Sequence, residues 1–295
     1  MAGVMPLSIR RPLFALATSD RLERAVRRSP GGEAFAYRLA SRYVAGVTAE
    51  DAFATASRLA ERGVLSSIDY FGERVSDPAE AERVTEAYVR LAGRLGSEAP
   101  AGTYLSVDLS HLAIDDPGVV GRLERIASAL PHDAYVQVGA EEAAQADRIL
   151  TTVLAVARGG GRVAATLQAN LRRSVSDASS LVDAGVPIRL VKGAYVESAA
   201  VAHAFGEPTN LAFVNLAHSL HRAGATVWLA THDPVLREAL LPALPGAGVE
   251  MLLGVRQFDQ EALAARGVSV RVYMPYGEQW FRYAMRRLAE SRGVH

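Results

Sequence analysis

The chain has no cysteine among its 295 residues, and this absence excludes several kinds of chemistry. Disulfides, thiolate metal sites, iron–sulfur clusters and a cysteine nucleophile all need the missing side chain. Net charge is lacking too, because 32 basic residues balance 32 acidic ones. This balance argues against nucleic acid or a strongly charged membrane surface as the main partner. No apolar run approaches the roughly 20 residues that span a bilayer, so we predict no transmembrane segment. The absence of cysteine fits a cytoplasmic protein, which we expect.

Hydrophobic residues make up 49% of the chain, which is enough to bury a large core. After a helical first part, eight β-rich runs alternate with helical stretches, without a shift in composition that marks a linker. This alternation predicts an α/β protein, a (β/α)8 TIM barrel with N-terminal helices. We expect residues 1–62 to form a helical extension that packs on the barrel, and residues 63–295 to form the catalytic barrel as a single structural unit. The predicted strands are 64–70, 104–109, 134–138, 162–167, 188–191, 226–230, 249–253 and 268–274. The predicted barrel helices lie around 78–95, 117–130, 141–158, 175–184, 209–223, 233–240, 257–266 and 278–291.

Polar and aromatic residues gather where the predicted strands end. In barrels of this kind the chemistry lies at the carboxyl ends of the strands. The coincidence therefore predicts an active site without naming a reaction. The strand-end segments are Asp69 to Glu73, Asp108 to His111, Gly139, Gln168 to Asn170, Lys192 to Tyr195, Thr231 to Asp233, Leu253-Gly254 and Tyr273 to Tyr276.

The last predicted helix carries a cluster of charged and aromatic residues. Helical spacing places Tyr283, Arg286, Arg287 and Glu290 on roughly one face. Two arginines beside a tyrosine form a clamp for a small anion. The alternative is a solvated helix end, because the helix dipole favours arginines there.

Three strand ends together resemble proline dehydrogenases. Arg189-Leu-Val-Lys-Gly-Ala-Tyr195 is similar to the family's strand-five motif, and Leu229-Ala-Thr-His-Asp-Pro234 to its strand-six motif. The stretch from Arg271 to Glu290 resembles its last strand and helix. The resemblance covers about residues 33 to 290, with no second catalytic domain after it, and indicates the monofunctional, FAD-dependent type.

The resemblance implies roles for particular residues. The residues that would hold FAD form two groups. The first group is Gln168, Arg189, Lys192, Gly193 and Ala194, and the second is Thr231 and His232. Tyr273 and Tyr283 would wall the substrate pocket, with Tyr195 beside it. Arg286 and Arg287 would grip the substrate carboxylate, and Glu73 would pair with an arginine to close the pocket.

The implied reaction transfers hydride from the ring carbon next to nitrogen of proline, or of a proline-like small amine, to flavin N5. Hydride transfer needs an oriented, dry pocket and no protein nucleophile, which fits this set of residues. The family usually passes electrons to a quinone; the sequence does not decide between a quinone and oxygen.

Two positions depart from the family pattern. Asp108 stands where strand two typically carries a lysine, and Gly139 where strand three typically carries an aspartate. A charge pair about 4 Å apart is worth roughly 4 kcal/mol at an effective dielectric of 20, so reversing one sign is costly unless Asp108 is protonated or pairs with Arg286 or Arg287. The alternative function is therefore a divergent member that oxidises a C–N or N–N bond of another amino compound, with Asp108 in its active site.

Other interpretations remain as alternatives. Lys192 at a strand end would suit a Schiff-base aldolase, although no acid–base set accompanies it. A non-catalytic flavin-binding barrel is a further alternative. Gly159-Gly-Gly-Arg-Val-Ala164 precedes a strand instead of following one, so we do not expect NAD. We expect no metal site either. An amphipathic N-terminal helix with Leu13, Leu16, Leu22 and Val26 indicates packing on the barrel or peripheral contact with a membrane.

Overall fold

A computed structural model describes residues 20–72 and 74–291 of the chain. Eight strands follow one another in sequence and close into a barrel in the order β1 to β8. All neighbouring strands, including β8 and β1, are parallel. The predicted (β/α)8 barrel is thereby confirmed. The strands are β1 (Leu65–Tyr70), β2 (Tyr104–Val107), β3 (Val136–Val138), β4 (Val163–Gln168), β5 (Ile188–Val191), β6 (Val227–Ala230), β7 (Gly248–Leu252) and β8 (Val270–Tyr276).

Three helices in the described residues precede the barrel, and a helix follows each strand. The leading helices are α1 (Asp20–Arg28), α2 (Gly32–Ala40) and α3 (Ala49–Ala60). The barrel helices are α4 (Pro78–Glu98), α5 (Val119–Ser128), α6 (Ala146–Arg158), α7 (Ser174–Asp183), α8 (Glu207–Arg222), α9 (Pro234–Leu240), α10 (Gln257–Ala265) and α11 (Trp280–Ser291).

Two strand ends differ from the prediction in ways that matter for the site. The last strand was predicted to end at residue 274, but β8 continues to Tyr276, because Pro275 and Tyr276 still pair with Asp69 and Tyr70 of β1. Strand β2 ends earlier than predicted, at Val107, and a 3-10 turn covers Leu109–Leu112. Asp108 therefore lies at the junction between the strand and this turn.

The core forms because the strands carry apolar side chains outward against the helices. Ile68, Leu105, Val136 and Leu190 are completely buried in this layer. One continuous apolar cluster joins these strands to the barrel helices. Burial of such side chains contributes about 1.5–3 kcal/mol each, so this layer supplies much of the stability of the fold.

The leading helices hold the last helix in place. Thr48 caps α3 in a capping box, since its side chain accepts from Asp51 N while the Asp51 carboxylate accepts from Thr48 N. Trp280 of α11 packs in a second apolar cluster with α2, where its ring meets Tyr37 edge to face at 5.1 Å. Val26 of α1 packs against the same cluster. Leu13 and Leu16 of the predicted amphipathic helix lie outside the described residues, and the division of the chain at residue 62 stays a prediction.

No helix within residues 20–72 and 74–291 is both long enough and apolar enough to cross a membrane.

Candidate active site

The inner faces of β1 and β2 direct carboxylates to the carboxyl end of the barrel. Ser67 and Ser106 face each other inside it, with their Oγ atoms 2.9 Å apart. Side chains alternate along a strand, so Asp69 and Asp108, each two residues further on, also point inward. Asp108 keeps an extended backbone (φ −92°, ψ 130°), which preserves this alternation beyond the last paired residue.

Asp69 is the centre of a buried hydrogen-bond cluster. Tyr273 Oη donates to Asp69 Oδ2 at 2.5 Å, and Tyr88 Oη donates to Oδ1 at 3.0 Å. Burial, and then the charge of Asp108, raise the pKa of Asp69 to about 7. Burial and the charge of Asp69 also raise the pKa of both tyrosines, which therefore stay protonated donors. Asp69 thus fixes the ring of Tyr273, a role that no pattern in the sequence indicated.

A buried chain of charges runs beneath this cluster. Arg189 Nη1 lies 2.7 Å from Glu250 Oε1, and Arg189 Nε donates to Thr166 Oγ1 at 3.0 Å. Arg271 Nη1 is 3.9 Å from the second Glu250 oxygen. The resemblance placed Arg189 against the cofactor; in this geometry much of its charge is already balanced by Glu250.

The ends of β4 and β5 meet at a close contact between Asn170 and Gly193. A Cβ atom on Gly193 would lie 2.0 Å from Asn170 Oδ1, and its φ of +106° also disfavours other residues. Asn170 Oδ1 is buried and has no hydrogen-bond partner in the part of the chain that the structure describes. Gln168 is buried nearby and donates to Glu141 O at 2.8 Å, whereas Ala194 is exposed.

Three polar residues, Thr231, His232 and Asp233, follow the end of β6, and each makes a hydrogen bond or ion pair. Lys192 Nζ lies 2.9 Å from Asp233 Oδ2, and Thr231 Oγ1 accepts from Asp233 N at 3.2 Å. His232 Nε2 accepts from Leu252 N at 3.0 Å. Burial, followed by nearby arginines, lowers the pKa of His232 to about 4. The neutral ring therefore carries its proton on Nδ1, which can donate to a ligand.

Helix α11 brings the predicted clamp over the barrel mouth. The Tyr283 ring lies 6.4 Å from Tyr273 and 5.3 Å from Phe71, and the Arg287 guanidinium stands over it at 5.3 Å. Arg286 and Arg287 are half-buried. Arg286 Nε is buried and has no hydrogen-bond partner among the described residues. The solvated-helix alternative is therefore wrong for these side chains.

Asp108 lies at the same mouth and is half-buried. Its carboxylate makes no hydrogen bond or ion pair that involves the described residues, so the pairing with Arg286 or Arg287 considered from the sequence is not found. Gly139 of the following loop faces this carboxylate. Glu73 lies outside the described residues, as does the side chain of Glu290.

Glu141 is a site residue that sequence reasoning missed. It is buried, accepts from Ser110 N at 2.9 Å, and has its pKa raised by burial and then by Asp108. Its position in the sequence could have indicated this role, because Glu141 comes just after Gly139 at the end of the predicted third strand. His111 is buried in the preceding loop, and its Nδ1 has no partner among the described residues. Those residues contain no group of carboxylates and histidines suited to a metal ion.

Comparisons with known proteins identify the family to which the chain is similar. The sequence profile of the family described as "Proline dehydrogenase" matches residues 52–295. Proline dehydrogenase 1 of Bacillus subtilis (strain 168) is 33% identical over 262 residues, which cover 85% of this chain and 86% of the relative. Proline dehydrogenase of Deinococcus radiodurans is 30% identical over 270 residues, 86% of this chain and 87% of the relative.

A solved structure supports the fold. Proline utilization A (PutA) from Bdellovibrio bacteriovorus, inactivated by N-propargylglycine, superposes with a TM-score of 0.79 at 18% identity. The match covers 97% of this chain and 37% of that protein, so the chain spans well under half the length of PutA.

Proposed function

Since the chain belongs to the proline dehydrogenase family, we propose that it oxidises proline to pyrroline-5-carboxylate with FAD as the cofactor. One observation carries this proposal beyond the family: α11 holds Arg286 and Arg287 over the same barrel mouth that Tyr273 and Tyr283 line. Two cations above an aromatic wall suit a small amino acid whose carboxylate must be oriented and whose ring must be kept dry.

The ends of β4, β5 and β6 fit a flavin nucleotide. An unpartnered buried acceptor (Asn170 Oδ1) and a neutral histidine at residue 232 are found there, and Gly193 leaves the room that the Asn170 side chain fills. FAD supplies an acceptor for the hydride that leaves the proline carbon next to nitrogen. The residues that we propose to hold it are Gln168, Arg189, Lys192, Gly193, Ala194, Thr231 and His232.

The substrate is oriented by the chain's own residues. Arg286 and Arg287 bind its carboxylate with charge-assisted hydrogen bonds. Tyr273 and Tyr283 exclude water from one side of the ring, with Tyr195 beside them. Asp69 keeps Tyr273 in place through the 2.5 Å hydrogen bond between them. Glu73 is proposed to close the pocket by pairing with an arginine.

The alternatives are less well supported. Relatives named as proline dehydrogenases match 85–86% of the chain at 30–33% identity, which does not favour a divergent substrate. The Schiff-base alternative is disfavoured because Lys192 is held by Asp233 at 2.9 Å. A quinone or oxygen as final electron acceptor, and a cytoplasmic location with or without peripheral membrane contact, stay predictions.

The proposal is tested by mixing FAD-loaded protein with L-proline without oxygen and following the flavin absorbance. We expect the flavin to be bleached and pyrroline-5-carboxylate to form in equal amount. Arg286→Ala should raise the KM for proline by roughly 100-fold or more, since truncating one side of a half-buried charge pair costs about 2–5 kcal/mol.

Arg282→Ala is the matched control on the same helix, because Arg282 is exposed and pairs with Glu23 at 3.3 Å. It should change KM less than about 3-fold, as surface ion pairs contribute under about 1 kcal/mol. No bleaching by proline in wild-type protein that has bound FAD would refute the proposed reaction. Equal effects of the two arginine variants would refute the clamp.

A further inference from the structure

Gly139 and Asp108 fit each other in a way that allows no side chain at residue 139. A Cβ atom built there would lie 1.7 Å from Asp108 Oδ1 and 3.0 Å from Cγ. Gly139 is not among the residues with positive φ, so its backbone does not require glycine. Its N–H still donates to Val107 O at 2.9 Å, which keeps the end of β3 beside β2. The space is needed by the Asp108 carboxylate, not by the turn.

The Asp108 carboxylate forms no ion pair with the described residues, and Arg189 attracts it only from a longer distance. Arg189, a buried arginine on the inner face, lies 2.7 Å from Glu250. Arg74 is exposed and lies nearer to Glu141 and Glu142, at 3.7 and 3.3 Å. An unpaired, half-buried charge costs free energy, which a cationic ligand at this position would offset.

Three carboxyl groups, those of Asp69, Asp108 and Glu141, lie on this side of the mouth. After burial, the charge of Asp108 is the next largest cause that raises the pKa of Asp69 and of Glu141. Both carboxyls are therefore close enough to interact with it. The β1–β3 side of the mouth thus forms an acidic pole.

The acidic pole and the arginines of α11 face the same barrel mouth. Tyr195 interacts with both groups. Burial and then the charge of Asp108 raise the pKa of Tyr195 to about 12, whereas the charge of Arg286 acts to lower it. Tyr273 also connects the sides, because it donates to Asp69 and its ring lies 6.4 Å from Tyr283 on α11. A cationic pole and an anionic pole across a small aromatic pocket match a zwitterion.

Resting on the proposed function, we propose that Asp108 binds the positively charged ring nitrogen of proline while Arg286 and Arg287 bind its carboxylate. Gly139 makes this placement possible by leaving the space that the Asp108 carboxylate fills. Asp108 is then a residue that recognises the substrate, and it replaces no part of the arginine clamp. Its charge, which looked unfavourable beside a substrate carboxylate, is favourable beside the substrate nitrogen.

The test compares proline with its ether analogue, in which oxygen replaces the ring nitrogen. The analogue keeps the carboxylate and the ring but carries no positive charge. Asp108→Asn keeps the shape beside Gly139 and removes the charge. We expect kcat/KM for proline to fall roughly 10- to 100-fold, the size of a lost charge-assisted hydrogen bond. The Kd of the analogue, measured by calorimetry on FAD-loaded protein, should change less than about 3-fold or become tighter.

Asp115→Asn is the matched control, because Asp115 is an exposed aspartate whose nearest partner, Arg148, is 3.9 Å away. It should leave both ligands unaffected. An equal loss for proline and for the ether analogue in Asp108→Asn would overturn the inference, since it would mean that the variant damages the pocket in general. Unchanged kcat/KM for proline would overturn it as well.

A relocation variant tests the position of the carboxylate directly. Asp108→Ala alone should show the same selective loss for proline. The double variant Asp108→Ala/Gly139→Asp places a carboxylate from β3 in the space that the Asp108 side chain has left. It should recover most of the lost kcat/KM for proline. Failure to recover, in a protein that binds the ether analogue normally, would refute the spatial argument. Failure of wild-type protein to oxidise proline would instead refute the proposed function itself.

Discussion

Replacing Asp69 by Asn should remove a large part of the pH dependence of the stability of this protein. Asp69 is 5% exposed, and burial followed by the charge of Asp108 raises its pKa from 3.8 to about 7. In the unfolded chain both influences vanish, so the carboxyl returns to its ordinary pKa. Between the two pKa values the folded protein holds a proton that the unfolded chain has released.

The sign of the effect follows from this difference. Where the folded state binds more protons, the free energy of unfolding falls as the pH rises. The stabilising contribution of protonated Asp69 is therefore complete below about pH 4 and lost as the pH rises through 7. Each unit of pKa shift is worth about 1.4 kcal/mol, and about two units lie between pH 5 and pH 7. The loss between pH 5 and pH 8 is then about 3 kcal/mol.

The assay is urea unfolding of wild type and Asp69→Asn at pH 5 and at pH 8. Comparing the two proteins cancels the other titrating groups, among them His232, whose lowered pKa acts in the opposite direction. We expect the stability of wild type relative to the variant to drop by about 3 kcal/mol from pH 5 to pH 8. Asp115→Asn should follow wild type. A difference between wild type and Asp69→Asn that stays constant within about 0.5 kcal/mol would refute the raised pKa of Asp69.

Three further outcomes can be measured. Arg271→Met should lower the free energy of unfolding by about 2 kcal/mol or more. The reason is that the Arg271 guanidinium lies 3.6 and 3.9 Å from two ring centroids inside the barrel. The control Arg266→Met removes an exposed ion pair and should lower the free energy of unfolding by under about 1 kcal/mol. Thr48→Ala should cost about 1 kcal/mol in urea unfolding through loss of the α3 cap, and Thr48→Ser should retain most of it. His232 should remain neutral down to about pH 5 in an NMR titration of its ring protons, since its pKa is lowered to about 4; protonation near pH 6.5 would contradict its burial.

The fold was predictable from the sequence because strands buried on both faces leave a local signal. Runs such as Val227–Ala230 are apolar over their whole length, and turn residues bound them. Strand ends were less predictable, because pairing with a neighbour decides them. The last strand was expected to end at residue 274, but the pairing of Pro275 and Tyr276 with β1 extends β8 to Tyr276.

Parts of the site were predictable for the same reason. Arg286, Arg287 and Tyr283 share a helix, so their spacing indicates a common face, and the structure places them together over the mouth. Contacts between residues far apart in the chain left no such signal. The hydrogen bond from Tyr273 to Asp69 joins positions 204 residues apart, and the ion pair between Arg189 and Glu250 spans 61.

Asp108 and Gly139 illustrate why position-by-position comparison with a family is an incomplete guide to substrate. Taken separately, an aspartate in place of a lysine and a glycine in place of an aspartate suggest that the pocket has lost both of its charges. In three dimensions the two changes are coupled, because the Asp108 carboxylate fills the volume that a side chain at residue 139 would need. A carboxylate is therefore present at the β3 side of the mouth, supplied by the neighbouring strand. Substrate recognition depends on where a charge lies in the pocket, and a side chain on the adjacent parallel strand can supply that charge.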